Sequence, residues 1–342
     1  MGKKNENDFT LEISMTQPGS LIVSLDFELN WGVHDVFSIK EYGENLRGVR
    51  LALPEILNLF QTYKIHATWG VVGLLCFENK EQLLANLPDI KPSYNLASFS
   101  PYGKLDMVGD SEDNDPLHYG ASLVRRIART PNQEIGTHTF SHYYCLEEGQ
   151  TPEQFEEDLK ASIKILNQHG FDTLSFIFPR NQTQNSYLEI CKKYGVMSYR
   201  GNEKNWIYEA SNFKSQHPVK RVARILDHYV NVTGHHTFKF NEIEKDPIIN
   251  LPSSRFLRPY NKNLRGFEPY RLERIKKSLT HAAKKGEVYH LWWHPHNFGV
   301  NIEENLAFLR KILEHVEILK KQYKFESLNM KEAVEKMKLI NL

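Results

Sequence analysis

LIVSLDF (residues 21–27) is a short, strongly apolar run that closes on an acid and an aromatic residue. It reads as a buried strand, and the chain on either side decides what kind of sheet it joins. Downstream, Leu53, Ile56, Leu57 and Phe60 fall on one face of a helix, and HATWGVVG (66–73) is strand-like again. The alternation continues with a helix over 117–129, the strand QEIGTH (133–138), and a helix over 152–168 announced by Thr151, Pro152 and Gln154. LSFIFP (174–179) and VMSYRG (196–201) are further strands, separated by a helix that ends near Gly195. Residues 202–262 carry no readable motif. The pattern resumes with a helix over 266–285, the strand EVYHLWW (287–293), a helix over 301–322, a short strand near Phe325 and a last helix over 330–338. Strands alternating with helices make parallel βαβ units, and seven or eight of them fit a (β/α) barrel or a doubly wound sheet. No glycine-rich phosphate fingerprint follows the first strand, which argues against the dinucleotide-binding version.

With 342 residues and 40% hydrophobic content the chain can bury a large core. Residues 1–19 are polar and read as a flexible arm, without the apolar core of a signal peptide. Residues 20–342 read as a single domain, interrupted by a Pro- and Gly-bearing insertion at about 88–116 that is long enough to suggest a lid or binding segment. The formal net charge of +1, with both signs interspersed, gives no reason to expect nucleic acid. Cys76, Cys145 and Cys191 are too few and too scattered for a disulfide framework or a cysteine zinc site. No apolar stretch approaches the roughly 20 residues that span a bilayer. The expectation is a cytoplasmic protein whose membrane contact, if any, is peripheral.

Four polar groups stand just past the carboxyl ends of strands, the edge on which barrels of this kind build active sites. Asp26 and Glu28 follow the first strand, two residues apart, and so share one face. Paired carboxylates repel unless a cation or a proton lies between them, and a solvated strand end is the alternative. His138 and His142 follow QEIGT; on one turn of helix an HxxxH spacing presents two imidazoles to a metal. Spacing alone does not decide this, because His290 and His294 repeat it. Arg180 follows LSFIFP and suits substrate or a structural ion pair. His294 and His296 follow YHLWW, where an imidazole becomes a catalytic acid in a pocket walled by Trp292 or Trp293, or lies in a histidine-rich surface turn.

Taken in order, SLDFELNWG, GTHTFSH, FPRNQ and LWWHPHNFG resemble successive motifs of the polysaccharide deacetylases, the NodB-homology group of carbohydrate esterases, over roughly residues 20–300. The resemblance implies an α/β fold, a distorted (β/α) barrel of seven or eight parallel strands. It also implies a hydrolase that removes the acetyl group from an N-acetylated saccharide with one divalent metal ion, zinc or similar. Carried over by position, Asp26 is the catalytic base and Glu28 a metal ligand, with the two roles exchangeable because Phe27 separates acids that the common motif places side by side. His138 and His142 complete the metal ligands, and a backbone N–H just after His142 becomes an oxyanion donor. His294 becomes the general acid, while Arg180, Trp292, Trp293 and His296 contact substrate. FPRNQ matches loosely, with its arginine after the proline, and the fourth motif is represented at best by Asp227. Two other readings stand beside this one: an amidohydrolase acting on a small non-sugar amide, and an inactive sugar-binding barrel.

Overall fold

A computed structural model describes residues 17–210, 212 and 218–340. Most of the expected arm therefore lies outside the described residues. In chain order the elements are β1 (Ser20–Phe27), α1 (Ile39–Thr62), β2 (Ala67–Val71), α2 (Lys80–Ala85), α3 (Ala121–Arg129), β3 (Gln133–Thr137), α4 (Pro152–Gln168), β4 (Ser175–Phe176), α5 (Asn185–Lys193), β5 (Ser198–Tyr199), α6 (Pro218–Asp227), β6 (Ile249–Asn250), β7 (Arg255–Phe256), α7 (Glu268–Lys285), β8 (Val288–Trp293), α8 (Ile302–Tyr323), β9 (Glu326–Leu328) and α9 (Met330–Ile340).

The strands form one parallel sheet in the order β6-β5-β4-β3-β2-β1-β8-β7, with β9 beside the first half of β1. The outermost strands, β6 and β7, are consecutive in the chain, and residues 251–254 carry it across the gap between them. That link is bonded to both sides: Leu251 and Ser253 donate to Tyr199 and Gly201, and Ser254 to His290. The sheet is thus curled into a distorted barrel with a short seam, as the resemblance implies. β4 and β5 are two-residue strands, shorter than the apolar runs LSFIFP and VMSYRG suggest. Pro179 cannot donate to a ladder, and the chain turns there into left-handed residues at Arg180 and Asn181.

Strand alternation sorts the side chains. Leu21, Val23, Leu25 and Phe27 face outward against Val49, Leu53, Ile56 and Phe60 of α1. Ser24 and Asp26 face inward, where they meet His290 and Arg200. The same parity turns His290 inward from β8 and sends Leu291 and Trp293 into the outer core. α4 begins where its sequence signals it, with Thr151 and Gln154 capping each other's backbone and Pro152 in the first turn. The 88–116 segment packs against the loop that follows β3. Its Tyr94 hydroxyl accepts the Tyr144 N–H, and Phe99 packs edge-on against the Tyr144 ring, so it braces the loop after β3.

Candidate active site

Glu28 stands one residue beyond β1 and lies directly over Gly32. A Cβ at Gly32 would sit 2.0 Å from the Glu28 carboxyl carbon, so the glycine of FELNWG leaves the space that Glu28 fills. Glu28 Oε2 is 3.2 Å from His138 Nε2 and 3.1 Å from His142 Nε2. These separations are close to the roughly 3.3 Å edge of a tetrahedron whose ligands lie 2.0–2.1 Å from a central zinc. The opposite nitrogens are occupied: His138 Nδ1 by the Ile177 carbonyl at 2.7 Å, and His142 Nδ1 by the Tyr144 hydroxyl at 3.1 Å. Each imidazole therefore turns Nε2 toward the carboxylate in the orientation a metal ligand takes. Burial also disfavours the charged form of His142 and lowers its pKa, against the opposing pull of Glu28. The donor set fits a divalent ion.

The helical turn expected for HxxxH is absent. Residues 138–142 form a loop with left-handed Thr139 (φ 66°) and His142 (φ 58°), and the rings still converge to 5.0 Å between centroids. Asp158 from α4 holds the loop by accepting from the Phe140 and Ser141 amides at 2.7 and 3.2 Å and from the Ser141 hydroxyl. The Tyr143 N–H, expected as an oxyanion donor, is instead given to Thr139 Oγ1 at 2.7 Å, because the left-handed turn folds the loop back on itself.

Asp26 is buried and held by Arg200, a residue the sequence reading passed over. Arg200 Nη1 and Nη2 reach the two Asp26 oxygens at 2.6 and 2.8 Å. Burial pushes the Asp26 carboxyl up, and Arg200 more than offsets this, holding it below the usual range. The signal was available: Arg200 follows VMSYRG at the same sheet edge as the other site residues. His294 Nε2 lies between the carboxylates, 3.7 Å from Asp26 Oδ2 and 3.6 Å from Glu28 Oε1. Its ring is edge-on to Trp292 and Phe256. Behind it, His296 is stacked in parallel at 4.9 Å and buried against Tyr42, and burial takes its pKa down to about 3. A second potential metal group, Glu28 with His294 and His296, arises from this stacking. α1 fixes the loop bearing these histidines: a Cβ on Gly48 would lie 1.8 Å from the Gly299 carbonyl oxygen.

These groups open into a cavity of about 520 Å³ lined by Asp26, Glu28, His142, Arg180, Trp292 and His294, among others. Trp292 forms its wall, with Arg200 stacked 4.1 Å from its ring centre. Trp293 does not belong to the wall: it is fully buried with Phe60 and Phe298, on the outward face of β8. His296 likewise lies behind the wall rather than in it. Arg180 lines the cavity while pairing with Asp35 and packing 4.0 Å from the Tyr144 ring centre. Asp227 stands apart, ion-paired with Arg255 at 2.7 Å. His290 is bonded to Ser24 and the Leu251 carbonyl inside the barrel, so the second HxxxH pair is not a metal pair.

A scan of protein families identifies part of this chain by its sequence. Residues 47–199 match the model of the polysaccharide deacetylase family. The matched segment contains His138, His142 and Arg180, whereas Asp26, Glu28, Arg200 and His294 join them through the fold. Solved structures similar to this chain include a Mycobacterium smegmatis protein described as a polysaccharide deacetylase, 13% identical, with a TM-score of 0.59 over 95% of this chain and 93% of that one. A Pseudomonas aeruginosa PAO1 protein of the same description is 11% identical, with a TM-score of 0.51 over 92% and 89%. PuuE allantoinase is also 11% identical, with a TM-score of 0.52 over 92% and 88%. At such identities the likeness concerns the fold. None of the curated proteins matches the chain.

Proposed function

We propose that the chain is a metal-dependent hydrolase that removes the acetyl group from the amine of an N-acetylated sugar. One observation carries the reading: Glu28, His138 and His142 converge on one point, with Asp26 and His294 beside them on the floor of a single cavity. Glu28, His138 and His142 would hold the ion. A divalent ion bound there lowers the pKa of a water and polarises the acetyl carbonyl.

The rest is the work of the side chains. Asp26, kept ionised by Arg200, accepts the proton of the attacking water. His294, beside Asp26 in the cavity, gives a proton to the departing amine, which leaves poorly as an anion. Trp292 and Phe256 offer the apolar wall that suits a sugar ring. The five polar positions of this constellation support an active enzyme over an inactive sugar-binding barrel, which has no need of them together.

The test is metal analysis followed by acetate release. Purified protein should hold about one divalent ion per chain, because three ligands meet at one point. A chelator should abolish acetate release from N-acetylated sugars, and zinc or cobalt should restore it. Full activity in metal-free protein would end this reading.

A further inference from the structure

The cavity has a second chemical character, away from Asp26 and Glu28. Arg221 and Arg224 from α6 and Arg258 beyond β7 line it. Among the described residues none of the three guanidinium groups is ion-paired, whereas Arg180 and Arg200 in the same cavity are. Two acids, Glu203 and Glu209, line the cavity beside them. Glu209 is taken by Lys220 at 3.7 Å. Glu203 acts on Tyr208 and Tyr289, which surround the buried Asp227, Arg255 and Arg274, a group with one positive charge in excess. The three arginines thus outnumber the acids beside them and form no ion pair among the described residues.

Ordinary surface solvation does not account for their placement. On a surface helix the charged face normally points to water and the apolar face to the protein. α6 departs from this: Val219, Val222 and Leu226 are exposed, while Arg224, Ile225 and the following His228 turn into the cavity and Arg221, itself exposed, lines its edge. At Arg258 burial disfavours the charged form and lowers its pKa, and Arg271 and Arg221 act in the same direction. Phe256 links this region to the acid. Its ring is 5.8 Å from that of His294 on one side and 6.5 Å from that of His228 on the other.

We infer that the substrate is an N-acetylated sugar bearing a phosphate or diphosphate, whose oxygens are held by Arg221, Arg224 and Arg258 while the acetamide reaches Asp26, Glu28 and His294. The sugar part of this inference rests on the deacetylase reading; the anion part does not. One carboxylate satisfies one guanidinium fork, whereas a diphosphate offers enough oxygens and charge for three.

The experiment compares three substrates on the metal-loaded full chain: a methyl glycoside of N-acetylglucosamine, its 1-phosphate, and its diphosphate. The diphosphate is supplied either as the nucleoside diphosphate sugar in solution or as a prenyl diphosphate sugar in detergent micelles, so the preferred arm names the source. Losing a hydrogen-bonded charge partner costs about 10-fold or more. Phosphorylated forms should therefore exceed the glycoside in kcat/KM by at least about that factor. Arg258→Ala, Arg224→Ala and the exposed-site variant Arg221→Ala should each erode the advantage, mainly through KM, and affect the glycoside far less. Arg258→Lys, which keeps the charge and loses the fork, should fall between. Equal kcat/KM for all substrates, or equal losses on all, would overturn the inference and leave the deacetylase reading standing. If no sugar is deacetylated, calorimetric binding of inorganic pyrophosphate decides the anion site separately: binding that the arginine variants abolish upholds it, and absence of binding overturns it.

Discussion

Removing Arg200 should damage the protein twice, and the structure gives the scale. All five N–H donors of the guanidinium are used: two on Asp26, two on Asn181 Oδ1 at 2.8 and 3.1 Å, and one on Ser24 Oγ at 3.2 Å. Arg200 and Asp26 are both buried, so solvent screens little of the interaction. Arg200→Ala leaves a carboxylate without its partner, a change that costs about 3–5 kcal/mol in buried pairs. The cost should depend on pH. In the parent protein the lowered Asp26 pKa stabilises the fold above the usual carboxylate range, and that contribution disappears as pH falls through the lowered value. Without Arg200, burial is opposed only by the imidazoles of His294 and His138, and the carboxyl moves up. The stability gap between parent and variant should then widen from acid to neutral pH, by at most about 1.4 kcal/mol per pH unit. Urea unfolding in the presence of a chelator measures this without contribution from bound metal. The double variant Arg200→Met/Asp26→Leu, which removes both charges, should lose less than Arg200→Ala. A loss below about 1 kcal/mol for Arg200→Ala, or a double variant that loses the sum of the two singles, would refute the reasoning.

Three further outcomes are expected. His294→Ala should keep its metal content and lower kcat by about 100-fold, more on an acetamide than on an activated aryl acetate, whose leaving group needs no proton; loss of metal on elemental analysis would make His294 a ligand instead. Trp293→Ala should cost about 3–5 kcal/mol in unfolding experiments, as a core cavity does. Trp292→Ala should chiefly raise KM, and the reverse pattern would mean that the two faces of β8 have been exchanged. Asp158→Ala frees the amides that fix the 138–142 loop and should weaken metal binding by about 10–100-fold in competition with a chromogenic chelator; unchanged affinity would show that the loop holds itself.

The central strands were legible because burial on both sides leaves long apolar runs, as in β1 and β8. β4 and β5 were overestimated because their apolar runs extend into irregular backbone that is buried all the same. His138 and His142 were found by spacing for a partly mistaken reason: the loop that joins them is not helical, and it is Asp158, eighteen residues beyond Phe140, that gives it shape. Arg200 escaped notice because a lone arginine after a strand has no motif; only the curl of the sheet gives it Asp26 as a partner. Trp293 was misassigned because adjacent tryptophans look alike until strand parity sends one inward and one outward. The arginines of α6 were invisible for a related reason. A helix that turns one arginine inward and its valines outward gives no sign of it in the sequence.

The Asp26–Arg200 contact also measures the shape of the molecule. Along the sheet β5 lies four steps from β1. Laid flat, that is about 19 Å of ordinary strand spacing. The two side chains nevertheless meet at 2.6 Å, which requires the sheet to be rolled until its fifth strand faces its first across the interior. Asp26 is therefore seated by the roll and not by its own strand alone. His138 and His142 take their orientation from nearby elements, through Ile177 and Asp158, whereas Asp26 takes its own from a strand four places away. The seam at 251–254 is bonded to Gly201, next to Arg200, so loosening it would loosen the seat of Asp26 without touching a residue of the cavity floor.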